Sequence, residues 1–256
     1  MSRSDGSMLS RIVTILDVVA AGGPVVSRTE IADRTGLPKA TANRIVADLV
    51  GARLLQPVEG GVGLGIRLFE LGVRAEQRGL GLRDAALPFM EDLYEITHET
   101  VQLAVLDGID VVYLQKISGR RSLRLDTRVG GRRPLTCTGS GKLLLASAPP
   151  DLLDRVRAER GFVRRTPHSI TDPAAMRRAL ATIREQRYAV DDEEFALGTR
   201  SIAAPVVHGG EVVAALSLSG RADRITVPAA APAVRAAAAA ISRELTRLRP
   251  TGARPR

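Results

Sequence analysis

An α+β chain built in two unlike parts is predicted by three observations. Apolar residues recur at helical spacing through the first fifty or so positions, β-rich runs joined by Asp-Gly and Gly-Gly turns dominate from Thr100 onward, and helical stretches lie between and after those runs. Tight turns between neighbouring runs favour a mostly antiparallel sheet. With 256 residues, 45% of them hydrophobic, one or two domains with real cores are expected.

Taken in order, Leu9, Ile12, Val13, Leu16, Val19 and Ala20 form a helical stripe that Gly22, Gly23 and Pro24 terminate. Ser27 and Glu30 make an S-x-x-E capping box, so a second helix starts there with Ile31 and Ala32 inward. Gly36 permits its positive-φ stop, and Pro38 is pre-set for the first turn of a third helix running to about Ala52. On that helix Ala42, Ile45, Val46 and Leu49 share one face, while Ala40, Asn43, Arg44 and Ala47 lie opposite, with Thr41 and Asp48 on a flank. Residues 54–58 and 62–64 flank Gly60-Gly61, a hairpin signal. Three helices followed by a hairpin make a winged helix-turn-helix. Small and hydrogen-bonding residues on the exposed face let a backbone approach a DNA groove while side chains reach bases and phosphates. The candidate contacts are Ser27, Thr29, Lys39, Ala40, Thr41, Asn43 and Arg44, with Arg44 foremost. A helix-turn-helix used only for protein contacts is the alternative.

Residues 66–78 read as a connecting helix, and Gly79 and Gly81 mark a boundary. A helix over 85–96 opens the larger part. Strands are expected over 100–105, 111–117 and 123–127, then helices over 142–146, 152–159 and 174–187. Two more strands, 201–207 and 212–219, are joined through His208-Gly209-Gly210-Glu211, and a helix over 229–248 closes the chain before a Pro/Arg tail. The predicted division is 1–65 winged helix, 66–82 linker helix, 83–250 the larger domain and 251–256 tail.

The net charge of +9 permits nucleic-acid binding but does not locate it, since residues 1–78 hold ten basic against eight acidic side chains. Arg so outnumbers Lys (Lys39, Lys116 and Lys142 are the three lysines) that genome base composition is an equal explanation of the surplus. Cys137 is the single cysteine, which excludes an intrachain disulfide and makes the cytoplasm the expected compartment. No apolar run of about 18 residues suggests a membrane span. TGSGKL lacks the first glycine and the final hydroxyl of a phosphate loop, because Thr136 and Leu143 stand there. The acids at 191–194 point in different directions and His98, His168 and His208 lack zinc-site spacing, so neither metal nor cofactor is expected. Cys137 has no recognisable base and reads as a small buried hydrophobe.

Five motifs, LPKATANRIVADL at 37–49, THETVQLAVLDG at 97–108, VGGRRPL with TGSGKLLLA between 129 and 146, DDEEFALGTRSIAAPV at 191–206 and VVAALSLSG ending at Gly220, agree in order and spacing. Across nearly its whole length the chain resembles the isocitrate lyase regulator (IclR) family of bacterial transcription factors. The resemblance implies a GAF-like effector domain after the linker helix and assembly as a homodimer or dimer of dimers. It also implies regulation, by repression before activation, of a catabolic operon through a double-stranded DNA operator. The family's effector site, carried over by motif, selects Gly139 and Ser140 in TGSGK, Asp191 at the head of DDEE, Ser201 in TRSIAAPV, and Ser217 and Ser219 in LSLSG. Two residues apart on a strand, Ser217 and Ser219 share a face. Hydroxyls and backbone N–H groups there suit a small carboxylic acid, aromatic ones included. Ala40 departs from the family's frequent Ser, and Arg132 and Arg133 stand ready to add charge beside the site. An effector domain that transforms its ligand as an enzyme, or that binds another protein, is the rival reading.

Overall fold

The computed structural model describes residues 7–78, 81–120 and 122–248. Gly79 and the tail from 251 to 256, both singled out above, lie outside the described residues. Two compact units divide the chain, Met1–Gly79 and Leu80–Arg256.

In the first unit, α1 (Met8–Ala21) starts at Ser7, whose Oγ accepts the Ser10 N–H at 3.1 Å. Its buried residues are Ile15 and Val19, with Ile12 and Leu16 half-buried, whereas Leu9 and Val13 are 70% and 48% exposed and Ala20 is exposed. The expected inward stripe is therefore rotated. MLSRIVTILDVVAA is apolar on more than one face, so several stripes satisfy the spacing, and packing against α2 (Arg28–Thr35), α3 (Lys39–Gly51) and the wing selects one.

Ser27 caps α2 by accepting the Glu30 N–H at 3.1 Å, but the Glu30 carboxylate pairs with Arg34, also at 3.1 Å. Half of the expected capping box forms. Gly36 ends α2 at φ +67°, and Pro38 is the N-cap of α3, one position ahead of its expected place in the first turn. The wing is β1 (Leu55–Val58) paired antiparallel with β2 (Gly61–Leu64). Its two turn residues are Glu59 and Gly60; Gly61, expected in the turn, opens the second strand. There it meets Val26, which exchanges both backbone hydrogen bonds with Val62 (2.9 and 3.0 Å). A Cβ on Gly61 would sit 2.2 Å from the Val26 carbonyl oxygen, so glycine is what allows this single β-bridge to close. Ile15, Val19, Val26, Ile31, Ile45, Leu49, Leu55 and Val62 form the core, and α4 (Ile66–Arg78) follows the wing.

The second unit begins with α5 (Leu82–Thr97) and the strand pair β3 (Thr100–Asp107) and β4 (Asp110–Ile117). The edge strand β5 (Arg132–Pro134) precedes α6 (Gly139–Ser147), α7 (Asp151–Glu159) and α8 (Pro173–Gln186). Strands β6 (Ala189–Asp192), β7 (Thr199–His208) and β8 (Glu211–Arg221) lead to the closing helix α9 (Val227–Leu248). Six strands form one antiparallel sheet in the order β5-β4-β3-β8-β7-β6.

The strand expected over 123–127 does not form. Side chains hold this segment in place of a neighbouring strand: Lys116 Nζ donates to the carbonyls of Thr127 (2.7 Å) and Leu125 (3.4 Å), and Gln102 Nε2 donates to Thr127 Oγ1 (2.8 Å). Conversely, β5 and β6 were not expected, being short edge strands.

Register fixes the two faces of the sheet, since residues directly opposite one another share a face. Leu103 faces Leu216, and Ile202 faces Leu218; with Met90, Leu93, Val234 and Ile241 from α5 and α9 they build a core of large side chains. The opposite face carries Ala104, Ala203 and Ala215, over which α6 and α8 pack with Leu143, Leu144, Met176 and Leu180. On that small-residue face Asp191 lies opposite Ser201 and Ser201 opposite Ser219, while Gln102 lies opposite Ser217. A row of polar groups thus crosses the sheet where α6 begins.

Candidate functional site

In the first unit the third helix presents Lys39, Ala40, Asn43 and Arg44 to solvent, with Thr41 half-buried on the flank and Thr29 exposed at the start of α2 beside half-buried Ser27. Ala42, Ile45, Val46 and Leu49 are buried, as the wheel requires. Lys39 and Arg44 enter no ion pair among the described residues, so both charges face solvent. This is a basic, small-residue surface held rigidly by its own core.

In the second unit Gly139, Ser140, Asp191, Ser201, Ser217 and Ser219 all line a single cavity of about 230 Å³. Thr138 builds its entrance from α6: its Oγ1 accepts the Gly141 N–H at 3.1 Å and starts the helix three residues earlier than expected. Gly139 and Ser140, expected in a loop, are therefore the first turn of α6, whose N–H groups have no helical acceptor. A Cβ on Gly139 would stand 2.7 Å from Ser201 Oγ, so a larger residue would force the Ser201 hydroxyl to turn away.

Asp191 belongs to β6 rather than to a loop, and its Oδ1 accepts the N–H groups of Glu194 (2.8 Å) and Phe195 (3.3 Å). Burial pushes its carboxyl up to about 7 against the pull of the Glu194 N–H, and the Glu194 carboxylate adds to the rise. Just beneath, Lys142 forms a buried ion pair with Glu194, both side chains under 10% exposed. Burial also raises the Glu194 carboxyl, with Lys142 opposing it. The loop is closed from outside by Thr166 Oγ1, which donates to the Glu193 carbonyl (2.7 Å), and Ser169 Oγ, which donates to that of Glu194 (2.6 Å).

Several lining residues were not among those selected from the sequence. Gln102 is a buried amide inside an apolar strand, a detectable oddity, and Tyr113 alternates inward on β4. Arg165 and Phe195 come from irregular segments about thirty positions apart and meet only in three dimensions, with the guanidinium 4.6 Å from the ring centroid. Of the two arginines flagged beside the site, Arg133 lines the cavity, whereas Arg132 is exposed and pairs with Asp107 and with Asp110 (3.6 Å). Cys137 is fully buried, and burial pushes its thiol up to about 12, with Asp191 and Glu194 contributing. It is no nucleophile at neutral pH.

The family model for the IclR helix-turn-helix domain matches residues 8–59, and that for the bacterial transcriptional regulator IclR C-terminal domain matches residues 76–243. The HTH-type transcriptional regulator BhcR of Paracoccus denitrificans is 34% identical over 221 residues, 85% of this chain and 78% of that protein. The transcriptional repressor IclR of Escherichia coli is 30% identical over 223 residues, 85% of this chain and 81% of its own. Among solved structures, an IclR homologue from Microbacterium hydrocarbonoxydans complexed with 4-hydroxybenzoate has a TM-score of 0.87 at 33% identity, covering 94% of this chain and all of that one. No helix among the described residues is long and apolar enough to cross a membrane. With a solvent-facing helix on a winged support, a polar cavity on an antiparallel sheet and these matches over both units, the chain belongs to the IclR family of bacterial transcriptional regulators.

Proposed function

We propose that this chain is a cytoplasmic, ligand-responsive repressor of a catabolic operon, in which residues 1–65 read the operator, 66–82 connect, and 83–250 sense a small carboxylic acid. The carrying observation is that the six residues selected by motif, scattered from Gly139 to Ser219, line the same cavity. The serine hydroxyls and the first turn of α6 supply donors to a carboxylate, while Tyr113 and Phe195 offer an aromatic or aliphatic body its apolar surface. That a relative's structure holds 4-hydroxybenzoate supports an aromatic acid as one member of the ligand class. Arg44, Asn43, Lys39, Thr41 and Ala40 on α3, with Ser27 and Thr29 at the α2 start, are the residues assigned to DNA. A homodimer or dimer of dimers reads a two-fold operator, since protein symmetry is mirrored in half-site symmetry. The acid acts through its different affinity for two arrangements of the paired readers.

The test is a mobility shift on DNA upstream of the chain's own gene and its neighbours, with and without a panel of aliphatic and aromatic carboxylic acids. A specific shift that one acid changes is the expected result. A specific shift indifferent to every acid removes the sensing half of the reading, and failure of any upstream DNA to shift removes the operator half.

A further inference from the structure

We infer that the ligand of this cavity is a dianion, a small acid with a second anionic group held by Arg133 and Arg165; this rests on the small-acid reading above and narrows it. Charge is distributed unevenly along the cavity. The inner end is formed by buried Ser140, Asp191, Ser217 and Ser219, half-buried Ser201 and the N–H groups of Gly139 and Ser140 at the start of α6, donors enough for one carboxylate. The open end carries Arg124, Arg133 and Arg165.

Those three guanidiniums are poorly neutralised. Among the described residues Arg124 and Arg165 pair with no carboxylate. Arg133 pairs with Asp126 at 3.1 Å, but the Asp126 side chain is 94% exposed and so screened by solvent. Arg200, also in the lining, is spoken for by Asp192 and by the carbonyls of Ala222 and Ile225. Arg133 Nε is buried without a hydrogen-bond partner, a donor the fold itself leaves unmet. Arg133 and Arg165 both lie against the Phe195 ring, at 5.4 and 4.6 Å from its centroid, so the ring holds two cations at one mouth.

A monoanion seated at the α6 end leaves this mouth uncompensated. A second carboxylate across a short or flat apolar spacer meets the paired Arg133 and Arg165 guanidiniums at this mouth. At about 230 Å³ the space holds roughly eight groups the size of a water molecule, which limits the spacer to a few carbons or one ring.

Calorimetry on the full chain with matched pairs, benzoate against terephthalate and hexanoate against adipate, tests the inference. One diacid is expected to bind about tenfold or more tightly than its monoacid, the scale of one added charge-assisted contact. Arg165→Gln is expected to cut that ratio to within about threefold, and Arg133→Gln to do the same. Arg165 is exposed, so its substitution tests the idea even where the Arg133 variant folds poorly. Monoacids binding as tightly as their diacids, or a preference that survives the Arg165 substitution, would overturn the dianion while leaving the acid cavity standing. Binding by none of the four removes the small-acid reading and this inference together.

Discussion

The reader helix and the cavity employ polar side chains in opposite settings. On the reader Lys39, Ala40, Thr41, Asn43 and Arg44 are exposed or half-buried, supported from below by Ala42, Ile45, Val46 and Leu49. The cavity draws on β3, α6, β6, β7 and β8, and its Ser140, Asp191, Ser217 and Ser219 are all buried. Where polar groups stand outside the core, chemistry and stability are separable; where they replace core, each group is charged against folding as well. The first unit is expected to tolerate functional substitutions without unfolding, and the second to register them in stability and pH dependence.

The sharpest way to expose that difference is Asp191→Asn. Asp191 keeps its proton in the fold up to about 7, whereas an ordinary Asp releases it near 3.8. The native state therefore binds the extra proton, and folding weakens as pH rises through that window, with the cost complete above about 7. The variant, whose amide oxygen still accepts the Glu194 and Phe195 N–H groups, is expected to be more stable above pH 7 by at most roughly 4 kcal/mol. Its advantage should vanish as the pH falls toward 4. Melting curves across that range check it, and equal curves at high pH would mean that Asp191 is solvated.

Gly61→Ala attacks the support rather than the surface. The added Cβ collides with the Val26 carbonyl, and the wing is expected to lose about 2 kcal/mol or more. Amide exchange at Val26 and Val62 should accelerate while β3 and β8 amides keep their protection. Next in size, Arg44→Ala is expected to lower operator affinity by about tenfold to a hundredfold with an unchanged melting temperature. A change in melting temperature with unchanged affinity would reverse the roles assigned to the two faces of α3. The smallest effect is that of Ser27→Ala, about 1 kcal/mol from the lost cap, because only the Ser27 half of the box is formed. Thermal denaturation of the first unit measures it.

Much of the first unit was readable from local pattern. Caps, the Gly36 stop and the apolar face of α3 are decided within a few residues of one another, so spacing carries the information. The rotation of α1 escaped because an over-apolar helix is resolved only by its neighbours. In the second unit the longer strands and helices were legible for the same local reason, but 123–127 was not. There the deciding partners, Lys116 and Gln102, are remote in sequence. The six cavity residues came from motif resemblance, and the register of the sheet supplies its physical basis by setting Asp191, Ser201 and Ser219 in one row. Arg165 and Phe195, brought together by the loop ties of Thr166 and Ser169, had no local signature.

The lone Cys137 gives this molecule an internal clock for opening. It is the single thiol of the chain, wholly enclosed in the second unit, and protonated at any ordinary pH. An alkylating reagent consequently reacts only during excursions that expose it, and the labelling rate counts breathing events of the second unit while the first stays silent. A guest that seals the cavity next to Gly139, two residues further on, would slow that clock, so occupancy could be timed without any probe attached to the ligand.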